Sequence, residues 1–435
     1  MLVPCPTHLW LGMDRNIVNL LRGREISPNG QRTKRKFHSW VEARSLEHLF
    51  SQYYPPLRVQ PEPFPISALA FNQAGNMLAF NHGNLVKIIT WQTGRYLLQP
   101  VGENVTTWAV KFHPIESNVF TSGIRRNGVK VWNANHFAVI RIYHFRTEVL
   151  SVAFNTEEIL AVASENKLFI WPYRAGEGEG PVDLVVLEPI LTIRSSIRAV
   201  YFHPTAAYLM TAEASEFDIL AMDLATVPRD EHNLSVSTGA AFLQVQHYTT
   251  NLRIWEYDIR NPYTALTERR CRLTIQQVIL CREMGAHISP CGRFLAVCVA
   301  CLKPIEDPPR RGPRRVLFEL RIYSLMEPGP IFGFSLRSCL IYAPAYVTAI
   351  QFSPTSEHLL VAYGQSNKLL SKTTEIGEAP EYRILEVYSV RNLQRIKSIY
   401  SEQEVAAAAC FHPLAGEGFA YGTSDGRVRF LKSDI

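Results

Sequence analysis

The 435-residue sequence lacks the signals of several large protein classes. It has no run of eighteen apolar residues, the length that a membrane-spanning helix needs. Its first residues, MLVPCPTHLWLGMDR, contain no basic region at the start and no small-residue cleavage site, so we expect no secretory signal. These absences predict a protein of the cytoplasm, the nucleus or both.

Catalytic and metal-binding motifs are also missing. The sequence has no phosphate-binding loop, no nucleophile elbow and no HExxH pair. Its eight cysteines show no framework spacing. Cys298 and Cys301 are spaced like metal ligands, but no second pair or histidine follows at zinc-finger distance, so both are predicted to be buried thiols. We therefore expect a non-catalytic protein without metal or cofactor.

Charge is modest in amount and nearly balanced. Charged residues make up 19% of the chain, hydrophobic residues 47%, and the net charge is +6, which indicates a globular protein and gives no reason to expect direct nucleic-acid binding. Two basic clusters stand out. Each is either a solvated loop or a partner-docking surface, and the first is alternatively a nuclear-localisation patch. They comprise Arg32, Lys34, Arg35 and Lys36, and Arg310, Arg311, Arg314 and Arg315.

A repeated pattern occupies most of the sequence. Phe71, Phe112, Phe154 and Phe202 each end an apolar strand-like run, before turns such as Phe-His-Pro, and they are spaced 41, 42 and 48 residues apart. A period of roughly 40–45 residues is that of a four-stranded propeller blade. The units count to seven, which predicts an all-β fold, a seven-bladed β-propeller. They cover residues 64–101, 105–143, 146–193, 196–265, 271–333, 335–400 and 403–435.

Each unit contains a third strand that carries a large aromatic residue, as in VKVWNAN and LRIWEYD. Trp132 and Trp255 in these two segments are predicted to be structural anchors between blades. The recurring histidines of Phe-His-Pro are interpreted as turn residues. Three polar or proline-containing insertions, 227–250, 303–315 and 365–381, are predicted to be surface loops.

The region before the repeats is predicted to be a helix-loop-helix. One helix spans residues 14–27, and a second begins at His38 and ends before Pro55 and Pro56. Residues 57–62 read as a short strand that would pair with the last blade and close the ring. The predicted domains are therefore an N-terminal extension, 1–55, and the propeller, 56–435.

Three segments of the sequence resemble a known family. The segments NIVNLLRGREISPNGQRTKR, GAHISPCGRFLAVCV and ACFHPLAGEGFAYGTSDGRVRFL resemble those of the Ambra-type WD-repeat proteins, which regulate autophagy through Beclin, in the plant and algal branch. The resemblance covers the propeller and the N-terminal helices. The animal relatives carry a very long insertion after the fourth blade, where this chain has only residues 227–250.

The resemblance implies a role as substrate receptor of a cullin-RING ubiquitin ligase of type 4. Such receptors dock on a three-propeller adaptor of the damaged-DNA-binding type through an N-terminal helix-loop-helix, and the propeller holds a protein substrate. The Trp-Asp-x-Arg box of this class is absent, since Trp132-Asn133-Ala134-Asn135 lacks both the Asp and the Arg.

Docking would therefore rest on the N-terminal helices. The predicted adaptor-binding residues are Ile17, Leu20, Leu21, Arg24, Trp40, Leu46 and Phe50, with Leu49 beside them. Two alternatives stay open at this stage. The helices could instead lie on the underside of the propeller, and the protein could be a scaffold of an autophagy or trafficking complex without ubiquitin transfer.

Overall fold

The structure, a computed structural model, describes most of the chain. The described residues are 30–48, 64–83, 85–93, 96–98, 107–124, 128–174, 187–215, 248–280, 283–303, 315–327, 329–341, 347–364, 382–401 and 404–432. They form one long helix, α1 (Gly30–His48), and 27 strands. The predicted first helix (14–27) and the closing strand (57–62) lie outside the described residues.

The first three sheets are antiparallel and four-stranded, in the order of the sequence. Their strands are β1 (Leu69–Phe71), β2 (Met77–His82), β3 (Leu85–Thr90), β4 (Tyr96–Leu98), β5 (Thr107–Phe112), β6 (Val119–Ile124), β7 (Gly128–Asn133), β8 (Ala138–His144), β9 (Val149–Phe154), β10 (Leu160–Ser164), β11 (Lys167–Trp171) and β12 (Pro189–Thr192). The first two or three strands of each sheet are largely buried, whereas β8, a fourth strand, is largely exposed. This is expected when the first strand of each sheet lies nearest the centre of the fold and the fourth lies outermost.

The fourth sheet, called the long sheet below, has eight strands that form two runs of four. The strands are β13 (Ile197–Phe202), β14 (Tyr208–Ala214), β15 (Tyr248–Glu256), β16 (Cys271–Leu280), β17 (Ala286–Ile288), β18 (Phe294–Lys303), β19 (Arg315–Ser324) and β20 (Ser335–Leu340). The two runs, β13–β16 and β17–β20, are joined through one residue pair, Val278 opposite Val299.

The last two sheets complete the chain. The penultimate sheet contains four strands and the last sheet contains three described strands. They are β21 (Val347–Phe352), β22 (His358–Tyr363), β23 (Tyr382–Ser389) and β24 (Arg395–Ser401), then β25 (Ala406–Phe411), β26 (Phe419–Thr423) and β27 (Val428–Leu431). Ile66, which precedes β1, donates its backbone N–H to the Thr423 carbonyl of β26 at 3.1 Å, so the start of the first sheet touches the last sheet.

Two unit boundaries predicted from the sequence are wrong by one strand. The fifth unit was predicted to start at residue 271 and the sixth at residue 335, but β16 pairs with β15 and β20 pairs with β19. Both strands therefore end the preceding run. The error arose because an outer strand with one exposed face, such as β16, alternates apolar and polar residues just as a first strand does.

The insertions also differ slightly from their predicted bounds. Residues 248–250 belong to β15, so the first insertion ends before Tyr248. Lys303 and Arg315 are partners at the open ends of β18 and β19, so the second insertion lies between them. The third, 365–381, lies outside the described residues, between β22 and β23. All three connect the second and third strands of their run, so their attachment points share one side of the fold.

The hydrophobic core lies between sheets. First strands contact one another from β1 through β5 and β9 to β13, and from β17 through β21 and β25 back to β1. The long sheet contains both β13 and β17, so the sheets together form a closed ring. Side chains from facing sheets form separate clusters, one of which joins Leu78 and Phe80 of the first sheet, together with Ile66, to Ala420 and Val428 of the last. Burial of these apolar faces against a neighbour, rather than pairing of strands, therefore holds one sheet to the next.

Candidate protein-interaction site

Helix α1 lies across the penultimate and last sheets, on the side where the first and second strands of each sheet are joined. We call this side the turn face. The carboxylate of Glu42 accepts hydrogen bonds from the Thr355 hydroxyl at 2.6 Å and the Thr355 N–H at 3.3 Å, and it lies 2.6 Å from Nδ1 of His358. Glu42 is buried, so these three partners offset the cost of removing its charge from water.

The next turn of α1 contacts the last sheet. The Ser45 hydroxyl donates to the Gly416 carbonyl at 2.7 Å. Leu46 is only 3% exposed and packs in a cluster with Phe411, Phe419 and other apolar residues of the last two sheets. Gly416 has a φ of +93°, and a Cβ there would meet the Val41 side chain at 2.5 Å, so only glycine permits this close approach. The contacts of Glu42 and Ser45 make α1 a bridge between two neighbouring sheets.

The opposite side of α1 points away from these contacts. Phe37 and Trp40 stack with ring centroids 6.5 Å apart and ring planes 22° apart, and both are half-buried. Arg44 and Glu47 form an exposed ion pair at 2.8 Å along the same side. Because residues three and four apart share a helix face, Phe37, Trp40 and Arg44 form one stripe. We call this stripe the outward face of α1.

The structure separates two of the predicted adaptor-binding residues. Leu46 is buried against the sheets, whereas Trp40 lies on the outward face. The other predicted residues, Ile17, Leu20, Leu21, Arg24 and Phe50, lie outside the described residues, as does Leu49. No prediction from the sequence covered the polar contacts of Glu42 and Ser45. Glu42 lies three residues before Ser45 and four before Leu46, so this spacing could have revealed a face centred on Glu42.

Side-chain links connect the turns of neighbouring sheets, and of the two runs of the long sheet, around the turn face. His412 Nε2 donates to the Gly75 carbonyl at 2.7 Å and His203 Nε2 donates to the Gly292 carbonyl at 2.6 Å. His113 makes a longer contact of the same kind, 3.4 Å to the Glu157 carbonyl. In each case Nδ1 accepts a backbone N–H of its own turn. The predicted turn histidines His113 and His412 thus also join one sheet to the next, and His203 joins the two runs of the long sheet.

These histidines predict a loss of stability in acid. Burial lowers the pKa of His113, His203 and His412 below the ordinary value of about 6.5. At pH values between the ordinary pKa of the unfolded chain and the lowered pKa of the folded chain, the unfolded chain binds protons that the folded chain does not. The free energy of unfolding should therefore be highest above pH 6.5 and fall as the pH decreases, by up to about 1.4 kcal/mol per pH unit for each histidine.

The measurement is urea unfolding of wild type and H203Q at several pH values between 7.5 and 5. H203Q should be less stable at pH 7 and should show a shallower pH dependence. H136Q, at an exposed position, is the matched control and should keep the wild-type slope. If the unfolding free energy of H203Q depends on pH as steeply as that of wild type, His203 does not contribute to the pH dependence.

The two predicted tryptophan anchors differ in burial. Trp255 is 1% exposed, lies between the third sheet and the long sheet, and donates its indole N–H to the Thr211 hydroxyl at 2.9 Å. Trp132 is half-buried, donates to the Ser122 hydroxyl at 2.9 Å and stacks on Phe120. Each indole thus binds a hydroxyl on the preceding strand of its own sheet.

The described residues contain no grouped metal ligands. Among them, no three His, Cys, Asp or Glu side chains lie close enough to hold a metal ion. Cys298 and Cys301 are three residues apart in β18 and so face opposite sides of the sheet. Burial raises the pKa of the Cys298 thiol to about 12, and Arg321 donates to the Cys301 sulfur at 2.8 Å. Within the part that is described, no helix is long and apolar enough to cross a membrane.

The fold places the chain in the class of WD40-type β-propellers. A chain in the "Crystal Structure of Mitotic Checkpoint Complex" superposes with a TM-score of 0.55, at 12% identity, over 88% of this chain and 97% of its own length. The Myceliophteria thermophila Cps50 (Swd1) beta-propeller domain superposes with a TM-score of 0.56, also at 12% identity, over 87% and 98%. Identities this low show the fold alone.

Sequence comparison confirms the resemblance to the Ambra-type WD-repeat proteins. "Activating molecule in BECN1-regulated autophagy protein 1A" of Danio rerio is 23% identical over 239 residues, and protein 1B of the same fish is 25% identical over 238 residues. Each alignment covers 53% of this chain, but only 17% and 16% of the respective relative. No protein-family model matches the chain.

Proposed function

We propose that the chain is a protein-interaction module, the substrate receptor of a cullin-RING ubiquitin ligase of type 4. In this proposal the N-terminal extension, 1–55, docks on an adaptor of the damaged-DNA-binding type, and the propeller, 56–435, holds a protein substrate. The names of the two fish relatives connect those proteins with autophagy, and we extend that role to this chain as part of the proposal. It assigns no catalytic step to the chain itself.

The observation that carries the proposal is the placement of α1. Glu42, Ser45 and Leu46 hold the helix on the turn face, while Phe37 and Trp40 point outward. The three insertions are attached on the opposite side, because each follows the second strand of its run. A receptor needs two separate surfaces, one for the ligase and one for the substrate, and this arrangement supports such a division.

We adjust the proposed adaptor-binding set in the light of the contacts of α1. Leu46 contacts the propeller, so its role in the proposal is to fix α1 in place. Trp40 stays in the adaptor-binding set and gains Phe37 as its stacked partner. Ile17, Leu20, Leu21, Arg24 and Phe50 keep their predicted role. Large aromatic side chains are among the anchors that dominate the binding energy of many interfaces.

The test is co-purification of the chain with the three-propeller adaptor. Wild type should form a complex, and the double variant L20D/L21D should lose it, because an unpaired charge buried in an interface is costly. The matched control is L97D/I142D, which places the same two charges at half-exposed apolar positions in outer strands β4 and β8. This control should bind as wild type does.

Two outcomes would contradict the receptor proposal in different ways. If wild type captures no adaptor, the alternative stands that the protein is a non-catalytic scaffold of an autophagy or trafficking complex. If L20D/L21D unfolds the propeller, its N-terminal residues belong to the core rather than to an interface. Leu46 of α1 is itself buried against the propeller, so circular dichroism of both variants must accompany the binding measurement.

We further propose that the propeller has seven blades and is closed by residues 57–62. The closed ring of sheets supports this count once the long sheet is divided into its two runs. The last sheet has three described strands, one fewer than its neighbours, and Ile66 is bonded to its second strand. Because Ile66 contacts β26 and residues 57–62 precede it by only a few positions, we propose that residues 57–62 supply the fourth strand of the last sheet.

A further inference from the structure

The attachment of α1 to the turn face includes a contact that an added charge would break. The Ser39 hydroxyl donates to the carboxylate of Glu357, which lies in the turn between β21 and β22. Ser39 is half-buried and Glu357 is exposed, so the contact lies at the rim of the interface. Glu42 is one helical turn further along and is already bonded to Thr355 and His358. The surroundings of Ser39 on the propeller side are therefore acidic.

The sequence before Ser39 has the opposite charge. Lys36 and Arg35 precede it by three and four residues, as part of the basic cluster noted in the sequence, and the apolar Trp40 follows it directly. Protein kinases select their acceptor residues by such charge patterns, and many of them require basic residues on the N-terminal side. Ser45, the other serine of α1, lacks this pattern, because Glu42 and Val41 occupy the corresponding positions.

We propose that Ser39 is a phosphorylation site for a basophilic protein kinase and that the phosphate releases α1 from the turn face. In the reaction, the Ser39 oxygen forms a bond to the γ-phosphorus of ATP. The bond from that phosphorus to the bridging oxygen breaks, ADP leaves, and the hydroxyl proton is taken up by the kinase base. The proposal concerns the position of α1 and is independent of what the N-terminal extension binds.

Release follows from the charges on the two sides of Ser39. A phosphoserine carries about −1.5 to −2 charges at pH 7, and it has lost the proton that Ser39 donates to Glu357. Two anions would then occupy the place of one hydrogen bond. Lys36 and Arg35 are one helical turn away and would attract the phosphate. Because both residues belong to α1 itself, this attraction does not hold α1 on the propeller. Among the described residues of α1, Leu46 is the one apolar side chain that is fully buried.

Local opening gives a kinase access to the site. Elements with few buried apolar contacts open at a lower free-energy cost than the global unfolding of the protein. In the described part of α1 the contacts to the propeller include those of Ser39, Val41, Glu42, Ser45 and Leu46, and only Leu46 among these is a buried apolar side chain. Detachment of α1 would also remove the bridge that Glu42 and Ser45 form between the penultimate and last sheets.

The first experiment treats the full chain with ATP and the catalytic domain of protein kinase C. Peptide mass spectrometry should find phosphate on Ser39 and none on Ser45. Hydrogen exchange of the backbone amides of residues 40–47 should become at least tenfold faster in the phosphorylated chain, while β22 and β26 keep their protection. Absence of phosphate on Ser39, or unchanged exchange in α1 after its addition, would overturn the proposal.

A second experiment uses charge substitutions and needs no kinase. S39D should accelerate amide exchange in α1, whereas A43D, which adds the same charge to an exposed position one turn on, should not. Combining S39D with E357K places opposite charges at the contact and should restore slow exchange. Equal acceleration by S39D and A43D, or no recovery in the double variant, would show that α1 is insensitive to charge at this contact.

Discussion

The W255A variant is expected to lose about 3–5 kcal/mol of unfolding free energy, because a large cavity replaces a fully buried indole. Trp255 packs against Ile159, Leu191 and other residues of the third sheet as well as against its own run. Removal of the ring therefore weakens the contact between two sheets. It also leaves the Thr211 hydroxyl without its indole donor, although that hydroxyl keeps its bond to Glu213 at 3.2 Å. Urea unfolding at pH 7 measures the loss.

Two further variants test whether burial is the cause. W132A, at the corresponding position of the second sheet, should lose distinctly less than W255A, because Trp132 is only half-buried. W255F keeps most of the volume and removes the N–H, so it should lose about 1–2 kcal/mol, the range for a buried hydrogen bond with a small cavity. A loss below about 1 kcal/mol for W255A would contradict its assignment as an inter-sheet anchor.

A chain that begins at residue 63 is expected to aggregate, whereas a chain that begins at residue 56 is expected to remain folded and monomeric. Both lack α1, so they differ only in residues 56–62. If these residues form the fourth strand of the last sheet, their loss exposes a strand edge with unpaired N–H and C=O groups. Exposed edges of this kind pair with other chains.

Size-exclusion chromatography with light scattering distinguishes the two truncated chains directly. Aggregation of the chain that begins at residue 63 alone supports closure by residues 57–62. Monomeric behaviour of both chains would mean that the last sheet is complete without them. Aggregation of both would mean that α1, through Leu46 and its polar contacts, is required to hold the last two sheets together.

Strands and turns could be predicted from the sequence because their signals are local. The alternation of apolar and polar residues before Phe71, Phe112, Phe154 and Phe202 fixes which residues lie in first strands, and a turn follows each of them. The two misplaced unit boundaries show the limit of such signals. Whether β16 belongs to the run before it or after it depends on which strand it pairs with, and pairing is a contact between distant residues.

The sequence by itself determined the strand-rich propeller character, the turns and the resemblance to Ambra-type proteins, because each depends on residues close together in the chain. Only the tertiary structure decided which side of α1 meets the propeller. Leu46 and Trp40 are both large apolar residues on one helix, and nothing local distinguishes them. Leu46 faces inward because Glu42 and Ser45 beside it reach Thr355 and Gly416, which are more than 300 residues away in the chain. Trp40 is turned outward as a consequence, since one helix cannot present both faces to the same surface.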